Sequence, residues 1–159
     1  MDPQDYYRPP KADLEAPGTA PTAAVAGLVY SVRQIAVATF LGSPLAGAIL
    51  LGANFRALGK PASRKPAIIW GVVATVVVMV LAFILPDRMP NSVLPIAYTM
   101  GMRQAALQLQ GAALTAHAQA SGPHQSNWRV FGISMACLAV TTTLLIGGYV
   151  AYEAFFVSN

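Results

Sequence analysis

SVRQIAVATFLGSPLAGAILLGANFRALGK, residues 31–60, is the stretch whose reading decides the fold. From Gln34 to Phe55 it carries no charge; Arg33 stands before the run, and Arg56 and Lys60 stand after it. An uncharged apolar run of this length is about what a helix needs to cross a bilayer core. Gly42-Ser43-Pro44 interrupts it at the centre. Glycine and proline there invite either a kink in a spanning helix or a turn at membrane depth. Two arrangements follow, a kinked span and a re-entrant or interfacial hairpin, and they place the N-terminus on opposite sides of the membrane.

The rest of the composition agrees with a membrane setting. Hydrophobic residues make up 55% of the 159-residue chain and charged residues 10%, with a mean hydropathy of +0.54. A soluble domain carries roughly 25% charge, so this deficit, gathered into long uncharged runs, predicts an all-α integral membrane protein. The sequence pI of about 9.5 arises from a few bases beside apolar runs, the pattern of positive-inside signalling. No nucleic-acid partner is expected. The single cysteine, Cys137, excludes an intrachain disulfide and a Cys-based metal site.

Outward from the first segment, residues 1–27 read as a polar, proline-rich, disordered tail. The tail lacks the basic-then-apolar order of a cleavable leader, so the membrane segments are expected to direct insertion. Ser31 is a suitable N-cap for the helix that follows. Arg56, Lys60, Arg64 and Lys65, punctuated by Gly59, Pro61 and Pro66, read as a short cytoplasmic loop.

Residues 67–85 are uncharged and valine-rich, a clear span, with Trp70 near its basic end as an interfacial anchor. Residues 93–110 form a poorer span, crowded by Arg103, Gln104, Gln108 and Gln110. Arg103 falls roughly 15 Å in from Val93, near mid-bilayer. There it should face a partner helix or snorkel inward, unless the span starts later or tilts and leaves Arg103 near the cytoplasmic headgroups, the reading favoured by the polar residues that continue to Gln119. A connector follows, in which His117 and His124 read as solvated residues separated by the helix-ending Gly122-Pro123. The last span covers about residues 129–152, with Trp128 at one end and Tyr149 and Tyr152 at the other.

Charge separates the two arrangements. If the first segment spans, Arg56, Lys60, Arg64, Lys65 and Arg129 lie inside against Arg8, Lys11, Arg33 and Arg88 outside, which is no bias. If it turns back, Arg8, Lys11 and Arg33 join the inside set and Arg88 alone lies outside. The positive-inside rule prefers the hairpin plus three transmembrane helices, in a bacterial inner membrane with the C-terminus outside.

Residues 30–59 also resemble a pattern found in small multi-pass bacterial membrane proteins of uncharacterised function, Y-S-x-x-Q-I-x-x-A-T-F-L-G-G-P-L-A followed by L-L-x-x-N-[FY]-x-x-[LF]-G. The matches include Tyr30, Ser31, Gln34, Ile35, Ala38, Thr39, Phe40, Gly42, Pro44, Asn54 and Gly59, about a fifth of the chain lying within the matched stretch, with a weaker echo at Ser126-Asn127-Trp128-Arg129. The resemblance implies membership and attaches no activity. It also implies that the polar residues Gln34, Thr39, Ser43 and Asn54 form a pattern, with the bland role of bonding a broken helix to its neighbours. Ser43 stands where the pattern has glycine, which slightly weakens the expectation of a turn that needs a fully permissive backbone.

No paired carboxylates, no acid–base–nucleophile set and no phosphate-binding loop are visible, so neither catalysis nor a cofactor or metal is expected. The residues singled out are helix-packing and polar-contact candidates: Gln34, Thr39, Gly42, Ser43, Pro44, Gly47, Asn54 and Arg103. They suit an accessory or assembly protein held in the lipid by helix contacts with a membrane-protein partner. The alternative is a homo-oligomeric channel or transporter built on the broken segment.

Overall fold

The computed structural model describes residues 27–86, 88, 90 and 92–157. Apart from Gly27, the expected tail lies outside these residues. The described chain is helical: α1 at Val32–Ala57, a 3₁₀ turn at Pro61–Ser63, α2 at Arg64–Ile84, α3 at Val93–Gln119, α4 at Asn127–Tyr152 and a closing π-turn at Glu153–Val157. An isolated parallel β-bridge joins Val29 to His124.

Local chemistry sets the limits of α1. Ser31 caps it with a reciprocal pair: Gln34 N–H donates to Ser31 Oγ at 3.2 Å, and Ser31 N–H donates to Gln34 Oε1 at 2.9 Å. At the other end, Gly59 N–H reaches Arg56 O and Lys60 N–H reaches Phe55 O. Gly59 adopts φ 72°, the left-handed C′ residue of this ending.

The centre of α1 is not helical. Ser43 has φ 81° and ψ 169°. A residue before proline is pushed away from the α region, and Pro44 can open a new helical turn because its missing N–H is no loss at that position. The chain reverses there. Tyr30 and Asn54 would stand about 36 Å apart along an unbroken helix. Instead they exchange two hydrogen bonds of 2.7 Å. Within the turn-back, Thr39 lies against Gly47. Residues 32–42 and 44–57 are therefore two antiparallel arms.

The double arm is the centre of the molecule. α2, α3 and α4 each pack on α1, whereas any contact among those three helices is slight. Ile35, Ala38, Ala46, Leu50 and Phe55 form the core with Ala106 of α3 and Val130 of α4. Small residues set the closeness of approach: Gly71 of α2 lies on Ala48, and Gly42 lies on the α4 backbone at Ser134. The outer faces of α2 and α4 expose Trp70, Val76, Ile84, Leu144 and Ile146.

Three helices are long and apolar enough to cross a membrane: Val32–Ala57, Pro61–Ile84 and Asn127–Phe155. α3, expected as a span over 93–110, is not among the three; it continues to Gln119, and its arginine and glutamines dilute its apolar character. α1 has the length to cross, but its reversal halves its reach to about 16 Å for residues 32–42.

Candidate functional site

The polar residues of α1 divide between the open base of the double arm and its tip. At the base, Asn54 is completely buried. Its Oδ1 accepts from Tyr30 N–H and its Nδ2 donates to Tyr30 O, so one side-chain amide satisfies both backbone groups of a buried residue. Gln34 extends this closure to the rest of the molecule. Its Nε2 donates to Gln125 O at 2.7 Å and to Asn127 Oδ1 at 2.8 Å, tying α1 to the start of α4. Gln125 N–H in turn donates to Val29 O at 3.0 Å.

The tip is packed by backbone. A Cβ added to Gly42 would lie 2.6 Å from Ser134 O and 2.7 Å from Ser134 Cα. Ser134 itself is buried and returns its hydroxyl to Val130 O at 2.8 Å, leaving its backbone as the contact surface. Pro44 is buried beside the turn. Ser43 is strained twice. Its positive φ lies in a region that is essentially glycine's own, and its buried Oγ has no hydrogen-bond partner. The glycine-to-serine difference from the resembling pattern therefore does not signal a relaxed turn, which corrects the sequence reading.

Gly47 lies one turn beyond Pro44, against Thr39 of the opposite arm and Met102 of α3. Thr39 is fully buried and donates its hydroxyl to Ile35 O of its own arm at 2.8 Å. The geometry thus brings Gln34 and Asn54 together at the base, Gly42, Ser43 and Pro44 at the tip, and Thr39 with Gly47 between the arms. Arg103 stands apart. It is exposed on α3 and directed away from the double arm, as are Gln104 and Gln108. Its neighbour Met102 meets the Gly47 position, so Arg103 lies close to the level of the turn.

Two polar residues belong to this arrangement without having been singled out. Gln110 is 2% exposed, and its Nε2 donates to Leu51 O at 2.8 Å while its Oε1 is unpartnered. Its signal is the buried α3 stripe Ala106, Gln110, Leu114 and His117, spaced at helical intervals. His117, expected as solvated, is only 6% exposed. Its Nε2 lies 3.1 Å from Pro123 O and its ring meets His124 edge-on at 5.8 Å, because the α3 ending folds Gly122 back over it.

These contacts can hold, space and orient helices. Among the described residues no three His, Cys, Asp or Glu side chains gather as a metal would require. No protein-family model, no curated protein and no solved structure matches the chain.

Proposed function

We propose that this is a multi-pass protein of the bacterial inner membrane with a non-enzymatic accessory or assembly role, in which α3 offers a polar face to a partner's transmembrane helix. The observation that carries the reading is the exposure of Arg103, Gln104 and Gln108 near the level of the α1 turn. In hydrocarbon, polar side chains of this kind are held against another helix or a water-filled space. Gln34, Thr39 and Asn54 of α1 are hydrogen-bonded within the chain, whereas Arg103, Gln104 and Gln108 of outer α3 are exposed.

The topology that fits is a re-entrant α1. Its arms of about 16 and 21 Å reach roughly half to two-thirds of the way through a hydrocarbon core of about 30 Å. The turn's irregular backbone is then covered by protein, as membrane depth requires. The base contacts bring Arg33, Arg56, Lys60, Arg64, Lys65 and Arg129 to one end, while Arg88 and Glu153 belong to the other. The positive-inside rule makes the first end cytoplasmic, including loop 56–65, and puts the C-terminus outside. α3 completes the passage between α2 and α4 despite its polarity.

Gentle extraction of the tagged protein, followed by sizing and mass-spectrometric identification, tests the role. One stoichiometric, unrelated membrane protein is expected, and Arg103→Leu combined with Gln104→Leu should release it. A discrete homo-oligomer with nothing else bound would overturn the accessory reading in favour of a channel or transporter built around Gly42-Ser43-Pro44.

A further inference from the structure

Because α2 and α3 scarcely touch, a gap is left between them over the buried α1 residues. The result is an open groove of about 630 Å³. Ala48, Leu51 and Phe55 form its floor, and Ala74 and Ala105 stand on opposite walls. The lining is almost wholly apolar. From Pro44 to Phe55 the floor runs about 16 Å, the depth of one leaflet's hydrocarbon.

One end of this groove is chemically different. Ser63 and Pro66 line it there, beside the exposed bases Arg56, Lys60 and Lys65. No hydrogen-bonded or ion-paired partner of these three side chains is found among the described residues, where the sole acid, Glu153, belongs to the far end of α4. Uncompensated cations at this end favour an anion. An apolar channel one leaflet deep that ends at such a cluster matches a molecule with an acyl chain and a phosphate.

We propose that this groove is a binding site for one anionic phospholipid. An acyl chain lies along Ala48, Leu51 and Phe55 between α2 and α3, and the phosphate rests on Arg56, Lys60 and Lys65. The proposal rests on the membrane topology above and is independent of the accessory role.

The test uses the full chain, purified in detergent and titrated with phosphatidylglycerol or phosphatidylcholine under native mass spectrometry. One phosphatidylglycerol should be retained, at least about ten-fold more tightly than phosphatidylcholine, with about a five-fold loss for each base removed in Lys60→Gln and Lys65→Gln. Filling the groove with Ala105→Phe, or from the opposite wall with Ala74→Phe, should abolish retention in whichever variant keeps the wild-type size and thermal midpoint. Equal retention of the two lipids, or retention unchanged in a folded groove-filled variant, would overturn the proposal. Recovery of the protein outside the membrane fraction would instead overturn the topology on which it rests.

Discussion

Ser43 is a residue that the structure marks for improvement. Backbone in its region costs of the order of 1–3 kcal/mol for a residue with a Cβ, and a buried unpaired hydroxyl adds to that. Ser43→Gly should raise stability by about 1–2 kcal/mol once the greater freedom of glycine in the unfolded chain is deducted. The check is an upward shift of the thermal midpoint in detergent. Ser43→Ala removes the hydroxyl but keeps the strained dihedral, so it should recover less than glycine does. Asn54 has the opposite character. Asn54→Ala strands both Tyr30 backbone groups in a buried position and should cost about 2–4 kcal/mol, read from the same melting experiment. Sequence alone distinguished these residues because polar side chains are conspicuous within an uncharged run. It could not distinguish Gln110, one of four polar residues close together on α3, since only the seating of α3 on α1 determines which of them is buried.

At the scale of the element, α1 and α3 differ in how much of their character lay in the sequence. The centre of α1 declared itself through Gly42-Ser43-Pro44, and its start through Ser31. The alternatives of kink and reversal stayed open because they depend on contacts between residues 24 apart. For α3 the sequence put the end of the apolar part at Gln110, where hydropathy falls, and the end of the helix before Gly122-Pro123; alanines and glutamines carry the helix to Gln119. Glycines give a sharp test of these packing roles. Gly42→Ala places a methyl group into the Ser134 backbone and should destabilise by about 1–3 kcal/mol, because α4 must move away. Gly111→Ala meets open space and should stay within about 1 kcal/mol of wild type. Thermal midpoints of the two variants measured side by side check the contrast. Equal losses would refute the seat of Gly42 on α4.

Considered as a whole molecule, the fold makes a prediction that needs no membrane. Gly27 precedes one arm of α1 and Ala57 ends the other, yet a Cβ on Gly27 would lie 3.5 Å from Ala57 Cβ, within the range a disulfide spans. Gly27→Cys with Ala57→Cys, in a Cys137→Ser background, should crosslink on mild oxidation and show a faster-migrating band that reductant removes. A straight or merely kinked α1 would keep these thiols tens of ångströms apart and give no such band. The arrangement around α1 also bears on how the protein is made. The double arm leaves the ribosome before the surfaces that receive it, Gly71, Met102 and Ser134, which follow in that order. A nascent chain that has not reached residue 134 holds a folded-back segment whose tip has no seat. Completion of α4 is therefore the event that closes the structure around the tip, and a chain halted before it would leave Gly42 without its backbone seat.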